Sequence, residues 1–169
     1  MQRPEGQEMT YTEEDLTLLE SQEKAFTIGA CDSSLLLSIA EAILGLRHEY
    51  DRGIALQIIR EHDQLVMFQF VDDDKAGRNL KFCAGKRTAE LALGHSSAWG
   101  YVYSQIHRLS SSMDMVYSGG AFPLKDEKGH LLASILVSGL HEGGDHRLIV
   151  RGLAEALGRS CFEFPKPLA

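Results

Sequence analysis

Two hydrophobic periods divide the chain. Leu16 and Leu19 with Ala25, and then Leu35, Leu36, Ile39, Ile43 and Leu46, recur at three-to-four spacing and predict helices from Thr12 to about Lys24 and from Asp32 to about His48. Glu13, Glu14 and Asp15 fall in the first turn of the former, where carboxylates complement the helix dipole, and Asp32 is placed to cap the latter. Phe26 to Ile28 reads as a short extended piece between them. From Gly53 the period shortens to two: Ile54, Leu56 and Ile58 alternate with Ala55, Gln57 and Ile59, and Leu65 to Phe70 is again rich in strand formers, which predicts an antiparallel hairpin. Asp72-Asp73-Asp74 is a solvated break and a start signal for a third helix, from about Lys75 to Leu93, which Gly94 ends. Ser96 to Met115 carries both periods, with Trp99, Tyr101 and Tyr103 at strand spacing and Val102, Ile106 and Leu109 at helical spacing, and helix is preferred. A short strand at Ala121 to Leu124, a tight turn at Asp126 to Gly129 and a long strand from His130 to Leu140 follow. On the long strand Leu131, Ala133, Ile135 and Val137 make an apolar face and Leu132, Ser134, Leu136 and Ser138 a mixed one, so one face must lie in the core. Gly143-Gly144-Asp145 caps a last helix striped by Leu148, Ile149, Leu153, Ala156 and Leu157, with Gly158 as its C-terminal stop.

This order lacks the strict strand-helix alternation of a parallel sheet, so the expected class is α+β: an antiparallel β-sheet with helices packed on it. At 169 residues the chain is one domain, residues 12–158, between a flexible N-terminal tail, 1–11, and a C-terminal tail, 159–169, whose Pro165 and Pro167 forbid helix and leave it on the surface or on a neighbour. The formal charge of -7 makes nucleic acid an unfavoured partner. Three scattered cysteines, a polar N-terminus and apolar runs too short to span a bilayer predict a cytoplasmic protein without membrane insertion.

Candidate chemistry is sparse. His141-Glu142-Gly143-Gly144-Asp145-His146 has the composition of a zinc motif, but its histidines are five apart across two glycines and cannot share a helical face, so no metal site is expected. Asp145 is free to cap the helix, and Asp145 and His146 at that N-terminus suit a small polar ligand. On the third helix Asn79, Phe82, Lys86 and, roughly, Lys75 share one face, while Leu80, Ala84 and Leu91 share the opposite one, which reads as the core side. A phenyl ring among Asn79, Lys86 and Arg78 suits a pocket for an anionic group or a subunit contact. Cys83, beside that basic face, is the one thiol whose thiolate the neighbouring charge would favour. Ser96 and Ser97 read as caps, and no triad, paired carboxylates or nucleotide-binding glycine pattern compels a reaction, which leaves catalysis open.

Taken together, Asn79, Phe82 and Lys86 on one helix, the Ser96-Ser97 pair, the Gly119 to Pro123 run and the Val137 to Leu140 segment with Asp145 and His146 resemble the haem-degrading-domain proteins of the HbpS/GlcG-like superfamily, over about Asp15 to Leu157. Phe82 stands where that family usually has Trp, which keeps a planar apolar group and loses the indole donor. The resemblance implies a profilin-like fold and assembly into homodimers or larger rings, and its members include haem-binding proteins. Two readings follow: an oligomeric binding protein for a tetrapyrrole such as haem, or another anionic small molecule, held near Asn79, Phe82, Lys86, Ser138, Asp145 and His146; or a non-enzymatic interaction protein in which the Phe82 face and the mixed face of Leu132 to Ser138 are subunit contacts.

Overall fold

A computed structural model describes residues 9–168; the first eight positions of the expected N-terminal tail lie outside the described residues. Within them the chain forms helices α1 (Glu13–Ala25), α2 (Ser33–Leu46), α3 (Gly77–Leu93), α4 (Ser97–His107) and α5 (Gly144–Leu157), and strands β1 (Ala55–Arg60), β2 (Leu65–Val71), β3 (Ala121–Lys125) and β4 (Leu131–Ser138). The strands make one antiparallel sheet in the order β2-β1-β4-β3, two hairpins joined through their inner strands. Pro123 lies in an edge strand, where its missing N–H costs no ladder bond. The α+β class expected from the periodicity is the class observed.

Local signals place the helix ends. The Thr12 backbone N–H donates to Asp15 Oδ2 at 2.9 Å, and the Asp32 carboxylate accepts from Leu35 N at 2.8 Å. Ser96 Oγ accepts from Trp99 N at 3.1 Å and starts α4, while Gly94 and Gly158 close α3 and α5 with φ of 71° and 63°. The ambiguous segment is therefore helix only to His107, and residues 108–118 are a loop laid over α3, with Val116 N donating to Gly85 O at 3.0 Å. Gly85 is what allows it, since a Cβ there would lie 2.5 Å from Val116 Cγ2. Phe26 to Ile28 is not a strand; Ile28 N makes one bond to Lys125 O instead. The Asp72 to Asp74 run does not start α3 either. Asp72 Oδ2 accepts from Ile54 N at 2.8 Å and pairs with Arg47 at 3.1 Å, and Asp74 accepts from Gly53 N, so these carboxylates tie loops together.

Both faces of the sheet are covered. Leu56, Ile58, Phe122, Ala133, Ile135 and Val137 pack under Leu36, Ile39 and Ile43 of α2 and Leu148, Ile149 and Leu153 of α5. The mixed face, Ser134, Leu136 and Ser138 with Ile59 and Ala121, is covered by α3 of the same chain and so is not the subunit contact expected of it. The face of α3 turned inward is the one opposite to expectation: Cys83, Lys86, Ala89 and Glu90 are buried, whereas Leu91 is 46% exposed and Ala84 faces water. The reason is complementarity. A sheet face bearing two serines accepts a helix face of amide, ammonium and carboxyl groups because Asn79 and Glu90 meet Ser138 and Ser134 there and Lys86 meets the Val137 carbonyl, whereas leucines would leave the serines unpaired.

Residues 159–168, the described part of the expected C-terminal tail, also depart from its expected surface position. Phe164 and Leu168 are 2% and 1% exposed and join Leu16, Leu19, Ala98 and Val102 in a second core, while Gln22 donates to Phe162 O at 3.0 Å and Tyr11 to Pro167 O at 2.5 Å. Phe164→Ala is therefore expected to cost about 3–5 kcal/mol in urea unfolding, as for a core phenylalanine, against the few tenths of a surface site.

Candidate functional site

A cleft of about 440 Å³ opens where the N-terminal half of α3 meets the end of β4. Asn79 and Ser138 line its base, Phe82, Val116 and Leu140 its apolar walls, and Arg52, Lys75 and His141 its mouth. Asn79 works in two directions: Oδ1 accepts from Ala76 N at 3.3 Å at the start of α3, and Nδ2 donates to Ser138 Oγ at 3.2 Å across to the sheet. Phe82 is half-buried, with the Arg78 guanidinium 5.3 Å from its ring centroid.

Lys86 is not held in reserve for a ligand. It is 3% exposed, and Nζ donates to Asp145 Oδ2 and to Val137 O, each at 2.9 Å. Asp145 Oδ1 accepts from Leu140 N at 2.9 Å, so this carboxylate fixes the turn before α5 and does not cap the helix, whose N-cap is Gly143 in the left-handed region. Gly120 makes room for the pair. Its φ is 128°, and a Cβ would lie 2.6 Å from Lys86 Nζ and 2.3 Å from Val137 O.

With Lys86 and Asp145 neutralising one another, the cations left lining the cleft are Arg52 and Lys75, the latter 3.5 Å from the exposed Asp74 carboxylate. Lys75 is folded inward over Gly139, whose absent side chain would sit 2.7 Å from Lys75 Cε and 2.6 Å from Gly53 O. The Asp72 and Asp74 contacts to Ile54 N and Gly53 N hold the Arg52 loop against that same strand end. The result is a mouth lined by Arg52 and the Asp74-paired Lys75 over an apolar, hydrogen-bonding base, on a chain of net charge -7.

Asn79, Phe82, Lys86, Ser138 and Asp145 thus come together as the sequence reading expects, and His146 does not. Its ring lies on the other side of α5, 1% exposed, beneath the C-terminal segment. Because the Gln22 amide donates to Phe162 O, its Oε1 faces His146 Nε2 at 2.6 Å, so Nε2 carries the proton and Nδ1 is a bare, unpartnered acceptor. Burial drives its pKa down to about 3, helped by Arg147. Cys83 also goes against expectation: burial pushes its thiol up to about 12, and the opposing effect of Lys86 is smaller.

Sequence reasoning missed a second polar group on the inward face of α3. Glu90 continues the stripe of Lys86 by one turn, and its carboxyl meets Ser134 Oγ at 2.7 Å. Extending the Asn79–Phe82–Lys86 spacing one step finds it. Arg52, Val116 and Ser118 carry no such signal, because loops bring them to the cleft.

Comparison with known proteins agrees with this fold. The family described as haem degrading protein HbpS-like matches residues 32–154. Similar sequences include UPF0303 proteins of Brucella anthropi, 25% identical over 82% of this chain and 85% of the relative, and of Burkholderia thailandensis, 27% identical over 86% and 92%. Among solved structures the fold is shared with the Ybr137w protein, at a TM-score of 0.74 and 21% identity over 85% of this chain and 88% of that one. It is also shared with a PduOC:heme complex, at 0.61 and 14% over 75% and 94%. A Streptomyces reticuli HbpS double mutant gives 0.60 and 14% over 76% and 88%.

Two outcomes follow for the buried charges. Lys86→Met and Asp145→Asn each strand one member of the pair and are expected to cost about 3–5 kcal/mol in urea unfolding, while the double variant recovers part of the loss. His146 has its folded pKa, about 3, below its unfolded value near 6.5, so the native state binds fewer protons between them. Its contribution is complete above pH 6.5 and is lost as pH falls toward 3, with a limiting slope of about 1.4 kcal/mol per pH unit that His146→Gln removes from an acid-unfolding series.

Proposed function

Because this chain belongs to the HbpS-like family of haem-degrading proteins, we propose that it is a binding protein for a small anionic molecule with a flat apolar body, held in the cleft between α3 and the end of β4. The observation that carries this reading is the division of labour between two lysines. Lys86 is consumed by Asp145 inside the fold at 2.9 Å, whereas Lys75, in a looser 3.5 Å contact with exposed Asp74, lines the mouth with Arg52 above Phe82 and Leu140. Carboxylates of a ligand suit the two mouth cations, and an apolar plane suits the phenyl wall.

A tetrapyrrole has this chemistry, and the residues present fit one. Lys75 and Arg52 would take its propionates, Phe82 its ring, and His141 is the imidazole that lines the cleft. Haem, when bound, would supply a redox-active iron. The chain's own residues would bind and orient it, and no catalytic step is assigned to them. The PduOC:heme complex of the same fold supports this choice of probe.

A second reading has its own observation. β2 is an edge strand, and among the described residues no strand pairs with its outer side; Leu65 and Val66 on it are 49% and 44% exposed, and it carries neither Pro nor Lys. Such an edge is complementary to itself in antiparallel register about a twofold axis, so its partner is a second copy of this chain.

Titration of haemin into the protein is expected to give a saturable Soret change in the micromolar range that the Lys75→Ala/Arg52→Ala double variant weakens at least about tenfold. Saturation of iron-free protoporphyrin as well places recognition in the ring and propionates. No saturable change with either compound removes the tetrapyrrole reading. Light scattering is expected to give at least a dimeric mass that Val66→Lys, a surface change, reduces to the monomer; a monomeric wild type, or a variant of unchanged mass, overturns the β2 contact.

A further inference from the structure

Under the C-terminal half of α3, one hydroxyl stands between two carboxyl groups. Ser134 Oγ is 2.6 Å from Glu61 Oε2 and 2.7 Å from Glu90 Oε2. A serine hydroxyl has a single hydrogen and can donate to only one of them. The other short oxygen–oxygen contact is a hydrogen bond only if that carboxyl brings a proton of its own, and without one it is a repulsion.

The surroundings decide which carboxyl carries it. Glu61, in the turn after β1, is gripped by Arg87 of α3, whose Nε lies 3.0 Å from Oε2 and whose second nitrogen meets Oε1; Glu61 is the ionised partner. Among the described residues Glu90 has no cation in contact, and its Oε1 has no hydrogen-bond partner. Toward it from α1 comes Glu23, a further negative charge, itself contacted by His95 Nδ1 at 3.2 Å and by Lys125 of β3 at 3.7 Å. Burial pushes Glu90 up to about 8, and the charges of Glu61 and Glu23 act in the same direction, against the smaller pull of Ser134 and Arg87.

We propose that Glu90 is a proton-binding site occupied at neutral pH: its carboxylic acid donates to Ser134, Ser134 donates to the Glu61 carboxylate, and Arg87 closes the chain, so that a bound proton latches α3 onto the sheet. The same helix carries Asn79, Phe82 and Lys86 one to three turns earlier, so release of the latch loosens the wall of the cleft. The effect on a ligand rests on the cleft reading above; the proton site itself does not.

The sign follows from linkage. The closed state holds a proton that the opened, solvated Glu90 gives up above its ordinary value of 4.5, so opening of α3 becomes easier as pH rises toward 8, by up to about tenfold per unit. Above 8 the closed state loses the proton too and the dependence levels off.

Amide hydrogen exchange, corrected for the intrinsic pH effect, tests this on the whole chain. Between about pH 6 and pH 8 the protection of α3 amides is expected to fall at least about tenfold relative to those of α2, and Glu90→Gln, which keeps a neutral donor toward Ser134, is expected to remove that fall. Infrared spectra of the wild type are expected to show the carbonyl stretch of a buried protonated carboxyl at neutral pH that fades toward about pH 9, and this measurement decides the matter if the variant fails to fold. An equal fall in wild type and Glu90→Gln, or no protonated-carboxyl band at neutral pH, overturns the proton site. Haemin affinity unchanged between about pH 6.5 and 8.5 while the band titrates overturns only its coupling to the cleft, whereas absence of haemin binding at either pH bears on the cleft reading and leaves the latch to the infrared result.

Discussion

A lysine ammonium withdrawn from water must be matched or the fold pays its full desolvation cost, and the arrangement around Lys86 meets that requirement. Asp145 and the Val137 carbonyl take two of its protons, and Gly120 stands aside to let the ammonium approach. That contact joins three parts of the chain: α3, the end of β4 and the turn that starts α5. With the Asn79–Ser138 bond on one side and the Glu90–Ser134–Glu61–Arg87 group on the other, it turns a helix face that looks solvent-bound into one that belongs inside. The apolar remainder of this contact is small, namely Cys83 with Ile59, Ala121 and Leu136, so directional bonds position α3.

The two faces of the sheet accordingly do different work. The α2/α5 side is a continuous aliphatic core, non-directional and tolerant of repacking. The α3 side is a polar seam in which the alternation Ser134, Leu136, Ser138 along β4 meets Glu90, Cys83 and Asn79 along α3, running the opposite way. A polar seam costs stability relative to an aliphatic one and returns specificity of position, which is what a cleft needs from its wall. The cleft lies at the end of this seam, where α3 begins and three loops converge, so its cations are supplied by residues whose loops are tied by Asp72 and Asp74. Solved structures share this fold at 11–21% identity.

Much of the architecture was legible in one dimension. The periods of 3.6 and 2, the caps Thr12, Asp32 and Ser96, and the stops Gly94 and Gly158 act through contacts within four residues, so they place helices and strands with boundaries good to a few positions, except the end of α4, which has no such stop. The grouping of Asn79, Phe82 and Lys86 was equally legible, because helical spacing alone puts them on one face. What the pattern misjudged were the burial of the C-terminal segment, which two prolines made look detached, and the sense of α3.

Sequence by itself determined which residues share a face of each element and that the sheet is antiparallel, since both follow from local geometry and chain order. Only the tertiary structure decided which face turns inward on α3, that Lys86 is spent on Asp145 59 residues away, and that His146 leaves the cleft its neighbour Asp145 helps to build. The physical reason is that the burial of a polar side chain is not a property of that side chain. It depends on whether a partner of opposite hydrogen-bonding character arrives from elsewhere in the chain, and hydrophobic periodicity carries no information about that arrival.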